Sequence, residues 1–341
     1  MALTVDTLQA PALMEKVLRA GLVTMLSGSP GTSKSSLVYQ LAEKFKLKVI
    51  DLRLSQCDPT DLLGMVNFNE DRTKCGYAPM STFPIEGDPM PKGYGGWLLF
   101  LDEFNSAPLS VQSAAYKLVL DKKVGEFKLH KNVAIIAAGN LATDNAITNR
   151  LSTAMQSRLI HLELKINPKH WLEWATTSGI DYRVQAYINY KPDGLMIFDP
   201  NHNDKTFSNP RTWHFLSDII KPETEISPEL LPLLAGCVGE GSARQFYGFV
   251  KVFDDLPQVS ELVKNPLTAK LPSEPSALYA VAGLIAHKVN KDNIDSLVQY
   301  AERLPVEFQV ISLSGAIKNN PALIGNTYVK AWVSRNASKM L

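Results

Sequence analysis

Cysteine is scarce in this 341-residue chain: Cys57, Cys75 and Cys237 stand far apart, and none belongs to a C-x-x-C pair. That leaves no basis for a disulfide framework or a cysteine zinc site, and reduced thiols suit an intracellular setting. An excess of one charge is missing too. With 35 basic and 34 acidic residues the formal net charge is +1, so the electrostatic footprint of bulk nucleic-acid or anionic-membrane binding is absent, although a local basic groove stays open. No apolar run reaches the ~18 residues of a membrane span, and the N-terminal residues pattern as an amphipathic segment rather than a signal peptide. The histidines are dispersed without metal-ligand spacing, and the chain shows neither internal repeat nor low-complexity tract. The expectation is a cytoplasmic globular protein without membrane insertion, long enough for two or three domains.

What is present is organised around Gly28, Ser29, Pro30, Gly31, Thr32, Ser33, Lys34 and Ser35. The stretch follows the apolar run Leu22–Leu26 and precedes a helix-patterned segment with Leu37, Val38, Leu41, Ala42 and Phe45 on one face. Strand, glycine loop, Lys-Ser and helix form the phosphate-cradling P-loop arrangement, with Ser36 in the first helical turn. Gly28 and Gly31 let the backbone curl so that N–H groups meet phosphate oxygens. The helix adds its positive end, Lys34 neutralises β/γ-phosphate charge, and Ser35 completes a Mg²⁺ shell. Ser33 stands where the pattern has glycine. A small residue entering helical dihedral angles is expected to cost little there.

The second anchor is Trp97–Leu101 followed by Asp102 and Glu103. Five apolar residues ending in two carboxylates describe a buried parallel strand that delivers acids to its C-terminal edge, where open α/β sheets bind ligands. Asp102 is placed to hold Mg²⁺, and Glu103 to polarise an attacking water. Further strands are expected at Lys48–Leu54, Val133–Ala138 and Leu159–Leu164. The strand from Val133 ends at Asn140, which is either a water- or γ-phosphate-orienting amide or a plain turn residue. Arg158 opens the last strand, away from that edge, and so points at a neighbour. Residues 64–96 hold six Gly and four Pro; they read as a functional insertion with a small hairpin, or as a poorly ordered loop. Val124–Leu129 alternates like one arm of a hairpin leading into the strand from Val133.

From residue 165 helices replace strands. Trp171 and Trp174, three apart, are expected in a core. Asn209 as N-cap and Pro210 at the first position start another helix, in which Arg211 opposes the macrodipole. A nearby phosphate would reverse that sign; a surface arginine is the alternative.

In order and spacing these segments resemble the AAA+ ATPases, and among them the MoxR-like, dynein-related branch. The resemblance covers roughly residues 5–250 and includes Leu54–Gly64, Leu101–Asn105, Val111–Leu120, Ala137–Asn140 and Asn209–Trp213. It implies a Walker A at Gly28–Ser35, a Walker B at Asp102 and Glu103, sensor 1 at Asn140, an arginine finger at Arg158 acting in trans, and sensor 2 at Arg211. Arg150 is a second candidate for the interface and Arg244 for sensor 2. It further implies ATP and Mg²⁺ as cofactors and a homo-oligomeric ring, a hexamer, in which residues 64–96 and 122–132 face the pore. The family's usual partner carries a von Willebrand A-type domain. The expected fold is α/β: residues 1–165 form a P-loop core with a parallel five-stranded sheet flanked by helices. Residues 166–255 follow as a helical lid and 256–341 as a helical extension. The expected activity is ATP hydrolysis that remodels a partner protein. The alternatives are a motor on nucleic acid, which the balanced charge disfavours, and an ATP-gated assembly module with negligible hydrolysis.

Overall fold

The computed structural model describes residues 3–144, 149–199, 204–254 and 256–336. The chain divides into two compact units, the first running through Asn167 and the second from Pro168, apart from a short stretch at Asp199.

The first unit is a parallel sheet covered on both faces. Its strands are β1 (Thr4–Val5), β2 (Val23–Ser27), β3 (Leu47–Arg53), β6 (Gly96–Asp102), β9 (Val133–Gly139) and β10 (Leu159–Leu164). They lie in the order β1-β10-β2-β9-β6-β3. Five match the expected strands within a residue or two. The sixth, β1, is a two-residue edge pairing of Thr4 and Val5 with Glu163 and Leu164, too short for any periodicity to announce it. The central strands β2, β9 and β6 are almost wholly apolar because both their faces are buried, whereas β3 and β10 carry Lys48, Asp51, His161 and Glu163 and are only partly covered. On one face Leu26, Leu98, Phe100, Ile136 and Ala138 pack under α1 (Gln9–Arg19) and α2 (Lys34–Lys44). On the other, Met25, Leu99, Leu101, Ile135 and Ala137 pack with Leu62 of α3 (Pro59–Leu63) and with Val111, Ala115 and Leu118 of α4 (Leu109–Asp121). The short α5 (Thr153–Gln156) precedes β10.

Two antiparallel hairpins leave this unit. β4 (Met65–Phe68) pairs with β5 (Cys75–Ala78) inside the 64–96 segment, and β7 (Lys123–Val124) pairs with β8 (Phe127–Lys128). The turn of the second hairpin meets the base of the first: a Cβ on Gly125 would stand 2.7 Å from the Leu63 carbonyl and 3.4 Å from Tyr77 Cβ.

The second unit is helical: α6 (Pro168–Thr177), α7 (Tyr182–Tyr190), α8 (Pro210–Ile220), α9 (Leu231–Val238), α10 (Glu240–Asp254), α11 (Val259–Lys264), α12 (Pro275–Lys288), α13 (Ile294–Ala301), α14 (Val306–Asn319) and α15 (Thr327–Asn336). Gly283 of α12 lets it approach Ala186 of α7, where an added Cβ would sit 2.9 Å from the alanine methyl. Trp213 is fully buried beside Tyr187 and Phe246, and its indole N–H donates to the Gly194 carbonyl at 2.9 Å. A buried ion pair anchors the unit. Arg183 Nη2 donates to Asp181 Oδ2 at 2.9 Å, Nε donates to Oδ1 at 3.0 Å, and the remaining donors reach the Ile220 and Glu223 carbonyls. Trp171 is in the core as expected. Trp174 corrects the expectation: it is 37% exposed and meets His214 edge-on. Three residues further along α6 its ring stands about 60° round the helix, at the margin of the buried stripe.

Candidate functional site

β2, β6 and β9 end side by side, with β9 between the other two, and each delivers one part of the site. β2 runs into the loop 28–33. The curl depends on missing side chains: Gly31 has φ +79°, and a Cβ on Gly28 would stand 2.9 Å from Thr32 Oγ1 and 3.3 Å from Leu164. The Thr32 hydroxyl closes the loop by donating to the Ser29 carbonyl at 2.7 Å.

The expectation for Ser33 is corrected. It adopts φ +66° and ψ +22°, in the left-handed region, immediately before α2. The pattern's glycine thus answers a dihedral requirement rather than a size limit, and serine fills the position under strain.

Lys34 opens α2 and turns back over the loop. Its Nζ donates to the Gly28 carbonyl at 2.6 Å, to the Ser29 carbonyl at 3.1 Å and to Asn140 Oδ1 at 3.3 Å. Ser35 Oγ donates to Asp102 Oδ2 at 3.3 Å. Burial pushes the Asp102 carboxyl above its usual range, and the nearby Asp51 and Glu103 charges add to that; the Glu103 N–H and the Ser35 hydroxyl pull the other way. A hydroxyl and a carboxylate held together, both hard oxygen donors, fit Mg²⁺. With Lys34 and the glycine cradle they fit a magnesium-bound nucleoside triphosphate.

Glu103 also has a left-handed backbone, φ +53°, as residues at functional turns often do. Its amide donates to Asp102 Oδ1 at 2.8 Å, and its carboxylate accepts from the Ser55 hydroxyl. Ser55 stands just beyond β3, which pairs along β6 up to Arg53 opposite Asp102. Sequence reasoning gave Ser55 no role, since a serine after a strand carries no signal until the sheet order is known. Asn105 is a second such residue. Its amide pairs with the backbone of Asn140, Nδ2 donating to the Asn140 carbonyl at 2.7 Å and Oδ1 accepting the Asn140 N–H at 3.1 Å. An asparagine two residues after the carboxylates was its only mark in the chain.

The structure therefore brings together Lys34, Ser35, Asp102, Glu103 and Asn140. Arg158 is exposed at the opposite end of the sheet. Its Nη1 donates to the Ala154 carbonyl at 2.6 Å, and its guanidinium lies 5.3 Å from the Tyr116 ring centroid. Arg150 is exposed and lines an open cavity of about 970 Å³ with Asn105, Gln156 and His161. Arg211 and Arg244 belong to the second unit. Arg211 is exposed in the first turn of α8, behind the Asn209 cap whose Oδ1 accepts the Arg211 and Thr212 amides at 3.0 and 3.2 Å. Arg244 is paired with Glu240 at 2.7 Å on the surface. Among the described residues no helix is long and apolar enough to cross a membrane.

Residues 23–159 match the family model of the AAA domain, dynein-related subfamily. No curated protein matches the chain. Among solved structures, a provisionally named ATPase from Cytophaga hutchinsonii is similar at 16% identity, covering 97% of this chain and 88% of its own, with a TM-score of 0.37. The RuvB Holliday junction branch migration motor of Thermotoga maritima aligns at 15% identity over 87% and 86%, with a TM-score of 0.37. NtrX from Brucella abortus aligns at 13% identity over 92% and 69%, with a TM-score of 0.41.

Proposed function

With an AAA domain over residues 23–159 as the premise, we propose that this protein is a Mg²⁺-dependent ATPase that works as a homo-oligomeric ring, a hexamer, and remodels a partner protein in the manner of the MoxR-like branch. The observation that carries the reading is the convergence of Lys34, Ser35, Asp102, Glu103 and Asn140 at the ends of three adjacent strands. Each supplies what phosphoryl transfer to water requires. Lys34 neutralises terminal phosphate charge, and its present carbonyl partners hold it where phosphate oxygens would compete for it. Ser35 and Asp102 hold Mg²⁺, which when bound neutralises β- and γ-phosphate oxygens. Glu103 accepts the proton of the attacking water, and Asn140 orients that water or the γ-phosphate.

Arg158 faces away from this cluster, at the start rather than the end of its strand. That suits a residue serving the next subunit's nucleotide, where an arginine finger is worth ~10³–10⁵ in rate. A partner with a von Willebrand A-type domain and a lid role for Arg211 are parts of the same proposal.

The test is Glu103→Gln, which keeps the shape and removes the base. MgATP binding should persist while turnover falls by ~10²–10⁴. Wild-type turnover in that variant refutes the assignment. Specific activity measured against protein concentration tests the ring: it should rise and saturate as subunits assemble, whereas a flat, appreciable rate would mean a self-sufficient monomer.

A further inference from the structure

Asn105 lies outside the set that faces the nucleotide, yet it grips the backbone of a residue inside it. One planar amide uses donor and acceptor together, at 2.7 and 3.1 Å, on the two main-chain groups of Asn140. The two peptides that flank the Asn140 Cα are thereby fixed in position and in orientation. The fit is close: a Cβ on Gly139 would stand 2.2 Å from Asn105 Oδ1, so a side chain there would drive the amide off its partners. The Asn105 backbone is tied in turn. Its carbonyl accepts the Asn149 N–H at 2.6 Å, and Asn149 Nδ2 donates to the Ala107 carbonyl at 2.8 Å. The end of β6, with Asp102 and Glu103, is thus joined through one residue to the tip of β9 and to the segment that bears Arg150.

We infer that Asn105 is a positioning residue for hydrolysis, acting through Asn140; the inference rests on the ATPase reading above. Asn140 Oδ1 reaches Lys34 Nζ at 3.3 Å, already at the long end of a hydrogen bond. Small rotations of its peptide would carry the amide away from both Lys34 and a γ-phosphate. A displacement of about 1 Å at a reacting centre costs up to ~10²-fold in rate. A residue that merely fills space would act differently, lowering stability and leaving the turnover of the folded fraction alone.

The experiment compares Asn105→Asp and Asn105→Ala with wild type. The aspartate keeps the shape and an acceptor for the Asn140 N–H, but sets an oxygen against the Asn140 carbonyl; the alanine removes both bonds. In the folded fraction of both, kcat for MgATP should fall about 10–100-fold, with KM close to wild type. Hydrogen exchange at the Asn140 amide should quicken. Wild-type kcat in a folded Asn105→Asp chain overturns the inference, even if Asn105→Ala fails to fold. A wild-type chain without turnover would sink the ATPase reading instead. Amide exchange then decides separately: unchanged protection of Asn140 in the variants overturns the grip of Asn105, and faster exchange supports it.

Discussion

Replacing Ser33 by glycine should stabilise the first unit, and the sign of that effect is decided by one dihedral angle. In a right-handed helical conformation glycine is worse than a residue with a side chain by roughly 0.5–1 kcal/mol. At φ +66° the balance reverses. A left-handed conformation costs a residue with a Cβ roughly 1–2 kcal/mol, and glycine recovers this. Against it stands the greater freedom of glycine in the unfolded chain, about 0.4–1 kcal/mol. The Ser33 side chain makes no capping hydrogen bond that would be lost. The net gain is about 0.5–1 kcal/mol, which slows amide exchange through opening of the unit about two- to fivefold. Exchange of the β2 and α2 amides in the nucleotide-free chain is the suitable assay, because a two-unit protein does not promise a single unfolding transition. Ser33→Val should shift exchange the other way by ~1 kcal/mol or more, since a β-branched residue is strained there. Faster exchange in Ser33→Gly would refute the reasoning and return position 33 to an ordinary helical start.

Asp102→Asn should raise the stability of the metal-free chain at neutral pH. The folded-state pKa of Asp102 is raised, chiefly by burial, so its ionised form opposes folding, and the advantage of asparagine should shrink as pH falls through that raised pKa and vanish below the unfolded value. A melting series from acid to neutral pH checks this, and added Mg²⁺ should favour wild type over the variant. In the second unit, Asp181→Ala leaves the Arg183 guanidinium buried without its carboxylate and should destabilise by about 3–5 kcal/mol. The double variant with Arg183→Met should recover part of that loss, and urea titration of both tests it; an Asp181→Ala cost below ~1 kcal/mol would mean the pair is hydrated.

Much of this protein was legible in its residues because the signals are local. The apolar runs before Gly28, at Trp97–Leu101 and at Val133–Ala138 had to be strands buried on both faces. Asn209 and Pro210 announced the start of α8, because a cap depends only on its own turn. Lys34, Ser35, Asp102 and Glu103 were legible because a P-loop and a strand ending in two acids carry their chemistry within a few residues, whereas Asn140, at the tip of a third strand, stood open between an orienting amide and a plain turn residue. What sequence could not supply was lateral order. That β9 lies between β2 and β6 follows from packing across the whole sheet, and only that order sets Asn140 beside Lys34 and brings Asn105 onto its backbone. The dihedral of Ser33 was likewise beyond composition, because the close fit of the loop rather than the size of the side chain imposes it. Ser55 reaches Glu103 only because β3 runs in register with β6. Local chemistry was written along the chain, and the tertiary structure decided which residues distant in sequence stand behind each group of the candidate site, since a hydrogen bond depends on separation in space.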